Sequence, residues 1–317
     1  MSSLLASIPY WEISALKLGP VSLQPFGILV ATGVLFGAHL ARKRAEKLGV
    51  DDDLVRALIG WTVIVGFIGA HVFDTLFYQW SDFKNDPILI IQVWKGISSY
   101  GGFIGAVVGY IAFTKVHKVK NHFVMGDLAA WAILPGFTFG RMGCATVHDH
   151  PGALSNFFMA IDFPAKSYVG QTYGAGPRHD LGFYELLFLL FLNLIFWIAV
   201  LSKERRYGFA IGFIAIGYAP VRFLLEPLRL STTDPRFLGM TFAQFVSIAL
   251  LITGVTIMIK IHRRSLEEAF SLEGIPKARP IGTAAQKKSQ GGGKESTPAS
   301  DKPSKTAGMK KKKKKKR

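Results

Sequence analysis

Residues 181–201 read LGFYELLFLLFLNLIFWIAVL, an apolar run in which Glu185 is the one charged side chain. About 20 consecutive apolar residues in a helix cross the hydrocarbon core of a bilayer, whereas a helix on the surface of a soluble protein keeps a polar face. This run is long enough to cross and has no polar face. It therefore predicts a membrane-spanning helix and, with it, the fold class of the chain.

Six further apolar stretches resemble this one in length or fall slightly short of it. They cover residues 22–41, 54–78, 97–113, 126–143, 207–228 and 240–261. In lipid a helix satisfies its own backbone hydrogen bonds, so a chain with many such stretches forms a helical bundle. We predict an all-α, polytopic membrane protein with about seven transmembrane helices, of which 97–113 is the shortest.

The net charge of +17 over 317 residues is high enough to suggest a nucleic-acid-binding protein. Its distribution argues against that class, because residues 277–317 hold fifteen Lys and Arg against two acids. We predict a membrane domain over residues 1–264 and a disordered, Lys-rich cytoplasmic tail over 265–317, in which 265–274 can form a short helical turn. The tail is expected to attract anionic lipids of the inner leaflet and no specific nucleic acid; nonspecific RNA binding by residues 310–317 is the alternative.

Basic residues in the short loops predict the orientation of the bundle. Positive side chains cluster at residues 42–47, 115–120 and 203–206, after the first, third and fifth predicted spans. Lys and Arg in short loops favour the cytoplasm, so these loops are expected inside and the intervening loops outside. With seven spans, the N-terminus lies outside and the C-terminus lies in the cytoplasm.

Two segments bring charged side chains into predicted spans, where each charge costs about 2.5–3.5 kcal/mol and therefore marks a functional candidate. The first, residues 139–152, reads FGRMGCATVHDHPG and carries Arg141 at the end of an apolar run. The second, residues 217–229, reads GYAPVRFLLEPLR. Its polar residues recur at helical spacing on one face: Tyr218, Arg222 and Glu226 four residues apart, with Arg229 three further on.

Two other places are polar without carrying an arginine. His71 and Asp74 lie one helical turn apart, and residues 98–105 read SSYGGFIG. Small residues at the start of a span suit close helix packing or an irregular backbone beside a cavity. The four places together supply two guanidinium groups near the outer leaflet, and planar guanidinium groups bind phosphate well. We therefore expect a site for an anionic lipid headgroup.

Each of these features also has a structural interpretation. An isolated Arg141 could extend to the membrane interface, an Arg222–Glu226 pair could neutralise itself, and the serine–glycine pattern could serve packing alone. The sequence has no phosphate-binding P-loop, no GxSxG nucleophile motif and no HExxH zinc motif. Three consecutive residues, 148–150, could all ligate one ion only with a special turn, so we predict no metal.

These segments, in this order and spacing, resemble the bacterial prolipoprotein diacylglyceryl transferases over about residues 18–262. Residues 140–144 (GRMGC), with an acid at 149 and a glycine at 152, are similar to the family's GRxGN signature. Residues 218–229 are similar to the segment that carries its second essential arginine. Weaker matches support these two, at residues 18–20, 69–78, 93–105 and 177–185.

The resemblance implies a seven-span enzyme of the bacterial inner membrane with a periplasmic active site and no cofactor. Such an enzyme moves the diacylglyceryl group of phosphatidylglycerol to the lipobox cysteine thiol of a prolipoprotein, forming a thioether and releasing glycerol phosphate. It implies catalytic roles for Arg141, Arg222 and Asp149, the two arginines neutralising the phosphate. Arg141 would also bind phosphatidylglycerol, together with Tyr100, Gly101, Gly102, Gly143, Cys144, Tyr218, Glu226 and Arg229.

Several positions depart from the residues usual in that family. The family usually has histidine at Tyr100, asparagine at Cys144, glutamate at Asp149, tyrosine at Phe26 and arginine at His71. The histidine matters most, because a thiol with a pKa of about 8.5 needs a base or a positive field to react at neutral pH. We therefore add His148, beside Asp149, as the candidate catalytic base. Cys144 is either a small packing residue or a thiol near the lipid site.

Two other functions fit parts of the pattern. A catalytically inactive member of the family could act as a lipid-binding or assembly protein, which Tyr100 and Cys144 favour and the two arginines disfavour. A transporter would also use charges within the membrane, but many transporters contain internal repeats and this sequence shows none. The leading interpretation is the active transferase.

Overall fold

The computed structural model describes residues 7–19, 21–230 and 236–276, so the predicted tail from residue 277 onward lies outside the described residues. Within them, a π-helical turn, Asp74–Tyr78, continues the second helix, and 3₁₀ turns cover Pro87–Ile91 and Glu226–Leu228. The α-helices are α1 (Pro25–Leu48), α2 (Asp52–Phe73), α3 (Trp80–Asn85), α4 (Ser99–Val116), α5 (His122–Val147), α6 (Tyr168–Tyr173), α7 (Leu181–Ser202), α8 (Phe209–Leu225), α9 (Phe242–Arg263) and α10 (Leu266–Ala269).

Six helices in the described part of the chain are long and apolar enough to cross a membrane: α1, α2 with its π-helical turn, α5, α7, α8 and α9. They correspond to six of the seven predicted spans, and the prediction of an all-α, polytopic membrane protein is confirmed. The predicted span at 97–113 differs. It forms α4, which is 18 residues long, contains four glycines and several polar residues, and is not among the six.

Helices α2 and α4 pack closely along their lengths at glycines. A Cβ atom at Gly105 would lie 2.5 Å from the Val65 carbonyl oxygen and 3.0 Å from Gly66 Cα, so a larger residue does not fit there. Gly101 faces the backbone of Gly69 in the same way. Small residues that let two backbones approach are the usual basis of helix association in membranes. The association of α2 with α4 therefore depends on close backbone packing at glycines rather than on ion pairs between their described residues.

Replacing Gly105 with leucine should lower the thermal stability of the protein in detergent. The added side chain must push α4 away from α2, and overpacking of this kind costs about 1–3 kcal/mol. The matched control is Gly60→Leu on α2, because a Cβ there meets no atom of the described residues within 4 Å. Equal unfolding temperatures for the two variants would contradict the close packing at Gly105.

A small extramembrane head follows α5 and is built on a four-stranded sheet. The strands of the chain are β1 (Ile8–Pro9), β2 (Leu16–Leu18), β3 (Val21–Leu23), β4 (Pro151–Leu154), β5 (Ile161–Phe163), β6 (Gly176–Asp180), β7 (Arg236–Phe237) and β8 (Met240–Thr241). The sheet order is β1-β5-β6-β4, with β1 parallel to β5 and the other pairs antiparallel. This head is absent from the predicted architecture. It matters for the site because β4 begins directly after His150.

The loops that carry basic residues meet at the other end of the bundle. Arg206 donates to the Ile261 carbonyl oxygen at 2.8 Å, and the Asn121 amide donates to the Ser271 carbonyl oxygen at 2.9 Å. Residues 265–276, which contain α10, therefore pack onto the bundle. Two apolar side chains of this segment, Ala269 and Ile275, are buried there.

Candidate active site

Three membrane helices bring two arginines to one buried glutamate. Arg141 lies near the end of α5, Glu185 in the first turns of α7, and Arg222 near the end of α8. Arg141 Nε lies 2.7 Å from Glu185 Oε2, and Arg222 Nε lies 3.3 Å from Glu185 Oε1. The Tyr218 hydroxyl donates to the same carboxylate at 3.0 Å. A single fully buried carboxylate thus fixes the separation of two guanidinium groups.

A second buried carboxylate, Glu226, extends this network. It pairs with Arg222, one helical turn earlier, and its Oε1 lies 3.0 Å from Arg229 Nε. Pro227 follows in the 3₁₀ turn that succeeds α8, and after this turn the Arg229 side chain lies beside Glu226. The network joins Arg141, Arg222 and Arg229 to Glu185 and Glu226, so these five side chains carry one unit of positive charge.

A cavity of about 300 Å³ opens beside the arginines. Its polar wall is formed by Arg141, His150, Tyr218, Arg222 and Arg229, and the facing wall by Asp74, Tyr78, Ser98, Ser99 and Tyr100. Its apolar wall comes from α4 and α9, through Phe103, Ala243, Val246 and Leu250. Phe103 is 47% exposed and Val246 is 40% exposed on the helix surfaces, so the cavity reaches the lipid-facing side of the bundle.

His150 and Asp149 form the rim of the cavity beside Arg141. His150 Nδ1 lies 2.5 Å from Asp149 Oδ1, and His150 Nε2 lies 3.3 Å from Arg141 Nη1. Burial of Asp149 opposes its ionisation, but the hydrogen bond with His150 and the nearby Arg141 charge outweigh that effect. The pKa of Asp149 is therefore below its ordinary value, and the carboxylate stays ionised at neutral pH.

Three side chains beside Arg141 have the spacing of metal ligands, but the positive charge of Arg141 opposes a metal cation there. Ligand atoms of Cys144, Asp149 and His150 lie within 4.8 Å of one another. Arg141 Nη1, however, lies 3.7 Å from Cys144 Sγ and 3.3 Å from His150 Nε2. A metal cation held by these groups would stand next to the guanidinium cation, and like charges at that distance repel strongly. The donor set therefore does not fit a metal ion.

His148, the base expected from the sequence, does not lie in the cavity. It ends α5 with a left-handed backbone conformation, and its ring is buried. Its Nδ1 lies 2.6 Å from Asp180 Oδ2 and its Nε2 lies 2.8 Å from the Trp11 carbonyl oxygen. Both ring nitrogens are thus engaged away from the arginines. The left-handed conformation at residue 148 reverses the backbone direction, and the His148 ring therefore lies in the head rather than in the cavity.

Some residues expected to bind phosphatidylglycerol contact neighbouring helices instead. Gly101 and Gly102 face α2, and a Cβ at Gly143 would lie 2.9 Å from the Phe26 ring on α1. Cys144 is buried, and its sulfur accepts a hydrogen bond from Arg141, so it packs beside the network. These residues permit or support the close approach of helices that forms the site. Tyr100 lines the cavity.

His71 and Asp74, the two polar residues one turn apart, have different surroundings in the structure. His71 Nδ1 and Nε2 lie 2.9 Å and 3.1 Å from the carbonyl oxygens of Gly96 and Leu89. Its buried ring therefore holds the 87–97 loop against α2. Asp74 begins the π-helical turn and lines the cavity opposite the arginines.

Two residues of the site were not selected from the sequence as site residues. Glu185 stands at the centre of the network, and its signal was present, because it is the one charged residue in the 181–201 span. The sequence indicates His150 only as one of three consecutive residues, 148–150. Its position in the cavity depends on the left-handed turn at His148 and on the sheet that follows, and residue spacing carries no sign of either.

A set of apolar membrane helices around a buried arginine–glutamate network with a lipid-facing cavity defines the class of this protein: a polytopic membrane protein whose site suits an anionic group. The comparison with known families is more specific. Residues 14–260 match the family described as "Prolipoprotein diacylglyceryl transferase". The chain belongs to this family.

Individual relatives agree with the family match. The chain is 32% identical over 262 residues to a protein of Staphylococcus saprophyticus, covering 80% of this chain and 91% of the relative. It is 33% identical, with the same coverage, to one of Staphylococcus xylosus. It is 30% identical over 302 residues to one of Shigella boydii, covering 86% of this chain and all of the relative. Each of these relatives carries the name phosphatidylglycerol–prolipoprotein diacylglyceryl transferase.

Proposed function

We propose that this chain transfers the diacylglyceryl group of phosphatidylglycerol to the lipobox cysteine thiol of prolipoproteins. The observation that carries this proposal is the charge of the buried network, in which three guanidinium groups meet two carboxylates. A phosphodiester carries one negative charge, and the guanidinium groups of Arg141, Arg222 and Arg229 line the cavity where they can pair with it. The cavity beside it is open toward lipid along α4 and α9, where acyl chains can remain in an apolar environment.

In this mechanism Arg141 and Arg222 bind the phosphate and stabilise the negative charge that develops on its oxygen as the carbon–oxygen bond breaks. Charged donors fixed in a water-poor site are effective at this task because they need no rearrangement during the reaction. Tyr218, Glu185 and Glu226 hold the two guanidinium groups in place. The thiol sulfur forms the new bond to the glyceryl carbon, and glycerol phosphate leaves.

We propose that the cavity faces the periplasm of the bacterial inner membrane, with the N-terminus on the same side. The basic loops meet at the end of the bundle where α5 begins, and Lys and Arg in short loops favour the cytoplasm. Arg141 lies nineteen residues further along α5, which at 1.5 Å per residue is about 28 Å away. That distance is close to the thickness of the hydrocarbon core, so the cavity opens near the opposite face.

The test is a transfer assay with the purified full chain in detergent, phosphatidylglycerol and a synthetic lipobox peptide, followed by peptide mass. We expect the peptide to gain one diacylglyceryl unit and glycerol phosphate to appear in equal amount. A peptide with serine in place of the lipobox cysteine is the control and should gain nothing. A folded protein that binds phosphatidylglycerol but leaves the cysteine peptide unchanged would overturn the proposal and favour the inactive family member.

We propose that the Lys-rich tail takes no part in this chemistry. It lies outside the described residues, and the family match ends at residue 260. Deleting residues 277–317 should leave the transfer rate within about threefold of the full chain, because the site lies about 28 Å from the basic end of the bundle. Binding to vesicles with anionic lipids should weaken, since each Lys or Arg near such a surface contributes about 1 kcal/mol. Loss of transfer on deletion would contradict this division.

A further inference from the structure

We propose that His150, oriented by Asp149, is the general base that removes the proton from the substrate thiol. This assignment rests on the transferase function proposed above and names a catalytic residue for it. It starts from three contacts at the cavity rim: those of His150 with Asp149 and with Arg141, and that of Arg141 with Glu185.

The contacts of His150 fix which ring nitrogen carries a proton. A guanidinium group can only donate hydrogen bonds, so His150 Nε2, 3.3 Å from Arg141 Nη1, must act as the acceptor. The neutral ring then has its proton on Nδ1, which donates to Asp149 Oδ1 at 2.5 Å. A carboxylate behind one imidazole nitrogen is the arrangement that activates nucleophiles in many hydrolases. The lone pair of Nε2 faces Arg141 Nη1, and it becomes available to the thiol when the phosphate takes this donor of Arg141.

The other titratable groups that line the cavity suit this role less well. Asp74 is a carboxylate, a much weaker base than a thiolate, and its Oδ2 already accepts a short hydrogen bond from Gln79. Tyr100 and Tyr218 are phenols, which are protonated at neutral pH with a reference pKa of about 10. Histidine is the side chain whose charge normally changes between pH 5 and 8.

The position of His150 also suits the reaction coordinate. His150 contacts Arg141, which would hold the phosphate. A thiol that reaches His150 Nε2 would therefore also lie next to the carbon–oxygen bond that breaks. β4 begins at Pro151, and the Leu181 amide donates to the His150 carbonyl oxygen at 3.0 Å. The head thus fixes the backbone of this residue, and the ring is 17% exposed, open enough for a substrate to approach.

The proton balance of the step is complete without any further reactant. The thiol S–H bond breaks and its proton passes to His150 Nε2, while the sulfur electron pair forms the bond to the glyceryl carbon. The electron pair of the broken carbon–oxygen bond stays on the phosphate oxygen. The protonated His150 then gives its proton to that oxygen, and the neutral imidazole is restored with glycerol phosphate as the product.

The charged and titratable groups around His150 are those that line the same cavity and those that lie beside it. The first are Arg141, Tyr218, Arg222, Arg229, Asp74, Tyr78 and Tyr100, and the second are Cys144 and Asp149. A protonated His150 would place a cation next to Arg141 and would have no lone pair to take the thiol proton. The transfer rate should therefore fall as acid protonates this ring. The ionised Asp149 remains in place as the ring is protonated, because its pKa is lowered.

The experiment compares the full chain with its His150→Gln and Asp149→Asn variants in the transfer assay between pH 5 and 8. We expect His150→Gln to lower kcat by 10²- to 10⁴-fold, the range for loss of a general base, and to abolish the acidic decline of the rate. KM for phosphatidylglycerol should change by less than about threefold, because the arginines remain. The matched control is His179→Gln, in the same head but outside the cavity lining, which should retain the wild-type rate and pH profile.

A second substrate separates a base from a structural residue. A lipobox peptide with selenocysteine in place of cysteine is already ionised at neutral pH and needs no base. The His150→Gln variant should therefore recover most of its rate with this peptide, and Asp149→Asn should lose less than His150→Gln with the cysteine peptide. An equal loss with both peptides, or a His150→Gln variant within threefold of wild type, would overturn the proposal. A wild-type protein without transfer activity would instead overturn the function itself.

Discussion

The Arg222→Gln variant should lose transfer activity by about 10²- to 10³-fold in kcat/KM, the usual cost of removing one donor to a developing oxyanion. Arg222 contacts both carboxylates of the network, and its side chain lines the cavity. Glutamine keeps a hydrogen-bond donor but removes the positive charge, so binding of the phosphodiester should weaken as well. The measurement is initial-rate kinetics with phosphatidylglycerol varied at a fixed peptide concentration.

Two further variants make the Arg222 result specific. Arg222→Lys restores the charge without the planar, two-pronged geometry, and it should recover only part of the lost rate. Arg56→Gln removes an exposed arginine that pairs with Asp52 on α2, and it should behave like wild type. If Arg222→Gln stays within tenfold of wild type while the protein remains folded, the role of this arginine in binding the phosphate is wrong.

The Glu185→Gln variant should show a large loss of thermal stability in detergent. Glu185 is fully buried and pairs with Arg141 and Arg222, and removing one partner of a buried ion pair costs about 3–5 kcal/mol. Arg222 keeps Glu226, so most of the penalty should fall on Arg141, whose guanidinium loses the carboxylate 2.7 Å from its Nε. Thermal unfolding followed by intrinsic fluorescence measures the effect.

The double variant Glu185→Gln/Arg141→Gln tests the cause of this loss. Removing both charges returns the network to the single positive charge of the wild type, so the double variant should unfold at a higher temperature than Glu185→Gln alone, although it should be inactive. Glu204→Gln, at an exposed position before α8, is the control and should change stability by less than about 0.5 kcal/mol. A Glu185→Gln variant as stable as this control would contradict the central place of Glu185.

The membrane architecture could be predicted because its cause is local. An apolar run such as 181–201 has one stable arrangement in a bilayer, and periodicity placed Tyr218, Arg222 and Glu226 correctly on one helical face. The 97–113 stretch is harder to recognise as a span from hydropathy, because the glycines that let α4 pack against α2 are only weakly apolar.

The site could be predicted only in part because its remaining contacts are non-local. Arg141 and Arg222 come from separate helices, and Glu185, which joins them, comes from a third. The choice between His148 and His150 depends on one backbone conformation, a φ of 52° at His148, that reverses the chain after α5. Asp180, which holds the His148 ring, lies 32 residues away, and no motif predicts that contact.

The single surplus charge of the arginine–glutamate network gives the catalytic cycle a direction. A phosphodiester carries one negative charge, whereas the phosphomonoester released by the reaction carries about −1.5 to −2 charges at neutral pH. The carboxylates of Asp74 and Asp149 also lie at the cavity and would repel the more highly charged product. Once the product has lost its second proton to water, its return would leave an excess negative charge in a buried, water-poor site. Rebinding of glycerol phosphate should therefore be disfavoured relative to binding of the next lipid.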